Sequence, residues 1–263
     1  ESAIVMNAHS VNRGEVPDLH NNKKDFFFLR RRDPQRTAGT IVELCRTRLP
    51  EKMGIPAEQI QVLSPTRKGS VGTTNLNRAL QAAVNPPAPE KREKAFGTTI
   101  FREGDRVMQV KNNYQLEWEI LGRYKIPVDK GVGVFNGDTG IMTEINEFAE
   151  TAEVEFEDGR FAVYSFKQLE ELELAYAITI HKSQGSEYPA VILPLLSGPK
   201  MLLNRNLLYT AVTRARKCVT VVGSEETFGE MIRNEKQQKR YSALDERIRE
   251  LNDAVEKGEM TGM

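Results

Sequence analysis

Strand and helix patterns alternate in two separate parts of this chain, and that alternation limits the folds it can adopt. The predicted elements of these parts are strands at 25–30, 59–65, 175–180, 190–196 and 217–224, and helices at 35–54, 72–86 and 203–216. Strands that alternate with helices form parallel sheets covered by helices. We therefore predict an α/β fold with a parallel sheet to which both parts contribute.

The segment between those parts has a different period. From about residue 104 to 169, short strand patterns follow one another, with tight-turn signals at Asn136-Gly137 and Asp158-Gly159. Apolar and polar residues alternate on both sides of the second turn. This spacing predicts a small β-barrel inserted in the α/β domain. The Pro-rich, charged stretch at 86–97 is predicted to be a linker.

The 263 residues therefore divide into three predicted units. Residues 1–103 and 171–224 form the α/β domain, residues 104–170 the barrel, and residues 225–263 a charged helical tail. The opening ESAIVMNAH has no initiator Met and no basic start, so we expect a piece of a longer protein.

Composition narrows the class of protein. The 39% hydrophobic and 28% charged residues are typical of globular proteins. No run of 18 apolar residues and no signal peptide occurs, so we expect no membrane contact and a cytoplasmic location. Two cysteines, Cys45 and Cys218, are too few for a disulfide framework and fit a reducing compartment.

The charge is balanced overall, with 37 basic and 37 acidic residues, but it is unevenly distributed. Basic residues exceed acidic ones by six to two at 23–36 and by six to one at 174–224, whereas ten acidic residues face two basic ones at 144–173. Charge runs are commonly solvated faces. The block at 174–224 differs because its charges lie in an apolar, strand-rich segment, where unpaired charge is costly.

Three clusters carry residues that suit a phosphate ligand. SPTRKGSVGT (64–73) places Arg67 and Lys68 before a helix N-terminus, although a plain strand-to-helix turn explains it equally well. TIHKSQGSEY (179–188) concentrates polar residues and Gly185 between two buried strands, which favours a ligand. We expect each of the three clusters at the carboxyl end of a strand or on the helix that follows it, and the carboxyl ends are where α/β sheets bind ligands.

The third cluster, YTAVTRARK (209–217), places Arg214 and Arg216 at the predicted end of a helix. Cations are favoured there by the helix dipole, and an arginine finger that neutralises a transferring phosphoryl group is the functional alternative. The chain contains no complete phosphate-binding loop, no buried strand ending in an acidic pair, and no Cys/His cluster, so we expect no metal ligands in it.

Taken together and in this order, the clusters resemble motifs of superfamily-1 DNA helicases of the RecD-like group, related to the alpha subunit of exodeoxyribonuclease V. The residues at 179–188 resemble motif V, and LLYTAVTRARKCVTVVG (207–223) resembles motif VI. The segments 62–86, 104–118 and 134–140 resemble those that precede motif V, and 2–17 resembles the stretch after motif IV. The resemblance implies a second RecA-like domain with an inserted SH3-like β-barrel.

The same resemblance implies a shared ATP site. In such helicases ATP lies between two RecA-like domains, and the first domain carries the phosphate-binding loop and the acidic pair that holds Mg²⁺. This chain would be the second domain, and its partner would be an N-terminal RecA-like domain of the same polypeptide. Without that domain the chain is expected to lack ATPase activity.

Residue roles follow from matching the motifs. Arg214 is similar to the arginine finger and is the implied catalytic residue. The implied nucleotide-binding residues are Gln184, Gly185, Glu187 and Arg214. The implied contacts with single-stranded DNA are Arg67, Lys68, Asn75, Asn112, Asn113, Thr179, His181, Lys182 and Ser183. Tyr114 and Trp118 remain open between base stacking and the barrel core.

The implied activity is ATP-dependent 5′→3′ movement on single-stranded DNA. The alternative from another class is a non-catalytic module whose barrel binds a protein partner; the acidic block at 144–173 favours a basic partner there. A relaxase-type protein with a RecD-like motor is a third possibility, which requires a nuclease domain outside this chain.

Overall fold

The computed structural model of the protein describes residues 2–20 and 24–235. Its helices are α1 (Ala3–Arg13), α2 (Pro34–Glu43), α3 (Leu49–Met53), α4 (Thr73–Val84), α5 (Arg205–Val212) and α6 (Glu225–Arg233). Its strands are β1 (Phe26–Arg30), β2 (Ile60–Ser64), β3 (Glu93–Phe96), β4 (Thr99–Arg102), β5 (Arg106–Gln109), β6 (Asn113–Leu121), β7 (Pro127–Val134), β8 (Thr139–Asn146), β9 (Thr151–Phe156), β10 (Arg160–Ser165), β11 (Leu172–Leu174), β12 (Ala177–Thr179), β13 (Tyr188–Leu195) and β14 (Ala215–Gly223).

The two α/β parts of the chain form one five-stranded sheet in the order β1-β14-β13-β2-β12. Every neighbouring pair in this sheet is parallel, which confirms the predicted α/β fold. Successive residues of a strand point to opposite faces. In β13, Val191 and Leu193 therefore pack with α1, α5 and α6, whereas Ala190 and Ile192 pack with α2 and α4.

Burial of these aliphatic side chains is the main force that holds the three layers together, at about 1.5–3 kcal/mol for each fully buried one. Helix α1, for which the sequence analysis predicted no element, joins this core through Ile4, Ala8 and Val11. Their spacing of four and three residues is that of one helical face. Ser2 caps its first turn and Gly14 ends it in a left-handed conformation (φ 80°).

The middle segment forms a seven-stranded antiparallel sheet in the order β11-β5-β8-β9-β10-β6-β7. Gly137 and Gly159 adopt positive φ at the two predicted turns. Its last strand, β11, lies beyond the boundary expected at residue 170. The predicted linker at 86–97 is partly wrong, because β3 lies within it and pairs with β4. Phe96 packs against the barrel core, and this contact stabilises the hairpin of β3 and β4.

A buried carboxylate fastens the barrel to the α/β domain. Asp105 accepts hydrogen bonds from Gln81 (2.6 Å) and Asn85 (2.8 Å) of α4, from the Tyr176 hydroxyl (2.9 Å), and from the Arg102 backbone N–H (2.7 Å). Burial raises the pKa of this carboxyl above its ordinary value, while the four donors oppose that shift. Asp105 lies where the chain enters the barrel, and Tyr176 lies where the chain leaves it. Hydrogen bonds through the Asp105 carboxylate therefore link both connections to α4 and its C-cap.

Three predicted helices differ in detail from those observed. The helix predicted at 35–54 is divided into α2, a wider turn at Leu44–Arg48 and α3, with the predicted stop at Gly54 confirmed (φ 63°). Helix α4 begins at Thr73, with Gly72 as its N-cap, and a Cβ at Gly72 would lie 2.5 Å from the Lys68 carbonyl oxygen, so only glycine fits there. The tail helix α6 ends at Arg233, and most of the predicted tail lies outside the described residues.

Candidate functional site

The predicted site residues lie at the two ends of the parallel strands. We call the side of the sheet where the strands end the carboxyl edge, and the side where they begin the amino edge. Thr179 is paired with Ser64 at the carboxyl ends of β12 and β2, whereas Tyr188 is paired with Ala215 at the amino ends of β13 and β14. Because Val62 is paired with Ile192, the two edges are roughly 20 Å apart along β13. The segment 180–187 therefore crosses the sheet from one edge to the other.

The third cluster lies away from the carboxyl ends at which ligand binding was expected. Helix α5 stops at Val212, and the Thr213 hydroxyl donates to the Tyr209 carbonyl (3.0 Å) at its end. Arg214 follows in the turn, and Arg216 already belongs to β14. The third cluster consequently lies at the amino edge of the sheet, next to the end of the second cluster.

Arg214 is held by neutral oxygen atoms. Its Nη1 donates to the Ser186 carbonyl (3.1 Å), its Nε to the Thr210 carbonyl (3.3 Å), and its Nη2 to the Thr213 hydroxyl (3.3 Å). No carboxylate of residues 2–20 or 24–235 lies within ion-pair distance of this guanidinium. The half-buried cation is thus fixed in position while its charge stays uncompensated by a fixed anion.

An ion pair lies beside Arg214. Arg216 Nε donates to Glu187 Oε2 (2.7 Å), and both side chains are largely exposed. The adjoining Gln184 and Gly185 are exposed, and Gly185 has positive φ (87°) with nothing within 4 Å of the position that a Cβ would occupy. Glu187 and Arg214 therefore lie at the amino edge, and Gln184 and Gly185 precede Glu187 in the segment that leads to it. Sequence reasoning set Arg216 beside Arg214 but predicted no role for it.

A second ion-pair cluster lies at the carboxyl edge. The Glu173 carboxylate pairs with Arg67 through one oxygen and with Lys182 (3.3 Å) through the other. These three residues and Thr179 line a cavity of about 50 Å³. Glu173 was absent from the predicted site, because its only sequence signal was membership of the acidic block at 144–173. It is the residue that joins the first and second clusters.

Comparisons with known proteins agree with this architecture. Residues 76–156 match the family of ATP-dependent RecD-like DNA helicase SH3 domains, and residues 174–222 match the UvrD-like helicase C-terminal domain. The ATP-dependent RecD2 DNA helicase of Deinococcus radiodurans is 32% identical over 249 residues, which are 95% of this chain and 30% of that protein. The chain is RecD-like: it is similar to ATP-dependent RecD-like DNA helicases over nearly its whole length.

Two further proteins are similar to this chain over part of their length. The RecBCD enzyme subunit RecD of Mycobacterium tuberculosis is 42% identical over 168 residues, 64% of this chain and 25% of that protein. A Pif1 helicase from Bacteroides, solved with ADP-AlF3 and ssDNA, aligns over 96% of this chain and 54% of its own with a TM-score of 0.47 at 16% identity. The chain spans less than a third of the length of either curated relative.

The predicted DNA-contacting residues of the second cluster differ in their exposure. Thr179 is half-buried at the end of β12, His181 is exposed, and Lys182 is partly exposed. Ser183 is fully buried, and its hydroxyl donates to the Ile180 carbonyl (2.7 Å). The Ser183 hydroxyl thus closes a helical turn at Ile180–Ser183 and presents no surface for the predicted DNA contact.

The three predicted asparagine contacts hold loops together. Asn75 donates to the Gly69 carbonyl (2.9 Å), and Asn112 accepts from the backbone N–H of Asn136 (2.9 Å). The Asn113 amide donates to Glu171 (3.0 Å), and its oxygen caps the start of β6. Asn75 and Asn112 remain exposed, but each has a structural hydrogen bond that any DNA contact would have to share or replace.

The two aromatic candidates separate clearly. Tyr114 is 68% exposed, and its ring meets Phe135 edge-on at 5.7 Å on the barrel surface. Trp118 is half-buried against the barrel core, with the Arg160 guanidinium 5.7 Å from its ring centre. Tyr114 thus remains available for stacking, whereas Trp118 belongs with the barrel core.

The described residues of this RecD-like chain present no reactive thiol, no metal-binding cluster and no helix that could span a membrane. Cys45 and Cys218 are free and buried, and burial raises the pKa of Cys45 to about 12 and that of Cys218 to about 11, which keeps both thiols protonated. No group of three or more His, Cys, Asp or Glu side chains in the described part of the chain could hold a metal ion. No helix among the described residues is long and apolar enough to cross a membrane.

Proposed function

We propose that this chain is the second RecA-like domain of an ATP-dependent DNA helicase and completes an ATP site whose other half lies on an N-terminal RecA-like domain. The observation that carries the proposal is the state of Arg214: a preorganised guanidinium at the amino edge, held only by neutral acceptors. A cation in that state suits the charge that develops on a transferring γ-phosphoryl group. Arg214 is the arginine finger in this proposal.

The other residues of the amino edge would position the nucleotide. Glu187 can accept from a ribose hydroxyl, and its ion pair with Arg216 holds the carboxylate toward solvent. Gly185 lets the backbone approach the ligand closely, and Gln184 offers an amide beside it. Mg²⁺ would be held by acidic residues of the N-terminal domain, since the described residues offer no ligand set for it; bound there, it would neutralise phosphate charge.

The carboxyl edge would grip single-stranded DNA. Arg67, Lys68, Lys182 and His181 present cationic or hydrogen-bonding groups there, beside the Thr179 hydroxyl. Contacts of this kind go to phosphates, so we expect binding that depends on salt and little on sequence. Asn75 and Asn112 would add secondary contacts with the DNA backbone, and Asn113 would support the loop that carries Asn112.

The crossing segment 180–187 gives the two edges a mechanical link. It starts at the DNA-side residues of motif V and ends at Glu187, one residue before β13. Nucleotide binding would close the two RecA-like domains on Arg214, and release after hydrolysis would reopen them, so that the position of the grip alternates. The family resemblance supports 5′→3′ movement for this cycle.

ATP turnover is the test of the shared site. The chain by itself should not hydrolyse ATP, and a polypeptide that joins it to an N-terminal RecA-like domain with a phosphate-binding loop should do so in a DNA-stimulated manner. A fluorescence titration of the separate chain with single-stranded DNA at several salt concentrations tests the grip independently. Robust turnover by the separate chain would contradict the proposal.

A further inference from the structure

The turn that joins β6 and β7 displays an unusual set of side chains at the end of the barrel. Tyr124 is 84% exposed, and Ile126 beside it is 61% exposed. Arg123 and Lys125 flank the tyrosine and are also exposed. The turn is closed by two backbone hydrogen bonds, from Gly122 to the Ile126 carbonyl (2.9 Å) and from Lys125 to the Gly122 carbonyl (3.2 Å). An aromatic ring between two cations is thus held at a defined tip.

The backbone of this tip is strained. Tyr124 and Lys125 both adopt left-handed conformations, with φ of 66° and 57°. Residues with a Cβ rarely take such values in succession, and hairpins normally place Asn or Gly there. The same barrel uses Gly137 and Gly159 at positive φ in two of its other turns. The tip therefore retains two large side chains at conformational cost, a pattern that occurs at functional sites.

The charges at the tip are uncompensated. Neither Arg123 nor Lys125 has an acidic partner within 4 Å among the described residues. The acidic residues of this hairpin, Glu117, Glu119 and Asp129, lie in its stem, where Lys130 is paired with Glu119. The Arg123 guanidinium lies 5.9 Å from the Tyr124 ring centre. Two free cations beside an exposed ring suit a polyanion that also offers flat aromatic groups. Single-stranded nucleic acid has both properties.

We propose that residues 123–126 form a second single-strand contact, in which Tyr124 stacks on a base while Arg123 and Lys125 pair with the adjoining phosphates. The contact is separate from the carboxyl-edge grip. Strand β6 begins at Asn113, which is bonded to Glu171 near that grip, and runs nine residues away from it, roughly 27 Å. This site rests on the proposed function, because it assigns a further stretch of the same DNA strand to the barrel.

The experiment compares long and short single strands bound by the whole 263-residue chain. Tyr124→Ala should weaken binding of a long oligonucleotide about tenfold, the loss expected of one stacked base, and leave a short oligonucleotide that fills only the carboxyl edge unaffected. Arg123→Gln with Lys125→Gln should lower the slope of log K against log salt by about 1.4 for the long strand. Phe148→Ala is the matched control.

Phe148 suits that purpose because it is fully exposed at another turn of the same barrel, flanked by Glu147 and close to Glu150. Its replacement should leave both oligonucleotides bound as in the parent chain. Unchanged thermal unfolding would show that each variant is folded. Tip variants that bind the long strand like the parent would overturn the second contact and leave the proposed function standing. The same holds if these variants keep DNA binding but lose the binding of a protein partner. No DNA binding by the parent chain would overturn both.

Discussion

The two edges of the parallel sheet hold their cations in opposite ways. At the carboxyl edge, Arg67 and Lys182 share the carboxylate of Glu173. At the amino edge, Arg214 meets two carbonyl groups and a hydroxyl and, within residues 2–20 and 24–235, no carboxylate. Under the proposed function, an anion at Arg214 would displace no ion pair of these residues, whereas DNA phosphates at the carboxyl edge would compete with Glu173.

The difference fits two kinds of ligand. A transition state needs a charge already in place, since reorganisation at the moment of reaction costs rate. A moving grip needs contacts that form and break repeatedly, and exposed ion pairs of about 0–1 kcal/mol are easily exchanged. Under the proposed function, arginine would thus serve two purposes, according to the groups that bind its guanidinium.

The largest expected effect comes from removing the free cation. In a polypeptide with the N-terminal domain, Arg214→Ala should lower ATP turnover about a thousandfold, because one guanidinium of this kind contributes at least that much to phosphoryl transfer. Arg214→Lys should recover little, since an ammonium lacks the planar set of donors. Steady-state turnover at saturating ATP measures the change.

Arg216 supplies the matched control for that experiment. Arg216→Ala breaks an exposed ion pair with Glu187 and should reduce turnover less than about tenfold, mainly through KM for ATP. Equal losses of ATP turnover in the Arg214 and Arg216 variants would contradict the proposal that Arg214 alone acts as the arginine finger.

An intermediate effect is expected at the carboxyl edge. Arg67→Gln with Lys182→Gln should weaken single-strand binding about tenfold at low salt and lower the slope of log K against log salt by about 1.4, that is, 0.7 for each lost phosphate contact. Arg46→Gln with Lys52→Gln removes the same charge from an exposed region near α3 and should change neither. A salt titration by fluorescence anisotropy distinguishes the two pairs.

The smallest effect tests whether Glu173 competes with DNA. Glu173→Gln frees Arg67 and Lys182 from their ion pairs and should tighten single-strand binding about threefold, within the range of exposed ion pairs. The same anisotropy titration measures it. Weaker binding by this variant would show instead that Glu173 holds the two cations in their DNA-contacting positions.

Local sequence patterns predicted most of the fold. The parallel strands, the antiparallel insertion and the stop at Gly54 all depend on periodicity and turn residues, which act over a few positions. Helix α1 was missed although Ile4, Ala8 and Val11 show a helical face. Strand β3 was missed because its charged sequence forms a strand only through its pairing with β4.

The site was predicted less completely, because long-range contacts decide it. No local pattern reveals that Glu173 lies between Arg67 and Lys182, since Arg67 is 106 residues away in the chain. The burial of Ser183 depends likewise on where its short helical turn packs. Arg214 lies at the amino edge because it is in the turn between α5 and β14, and such a turn leads into the amino end of the following strand.

The most direct test of separate roles for the two edges combines both activities in one set of variants. In the polypeptide with the N-terminal domain, ATP turnover and the salt slope of single-strand binding without nucleotide would be measured for Arg214→Ala, for Arg67→Gln with Lys182→Gln, and for all three changes together. We predict that Arg214→Ala abolishes turnover at an unchanged slope, and that the pair lowers the slope while turnover at saturating DNA persists. A lower slope in the Arg214 variant, with turnover retained, would contradict the account.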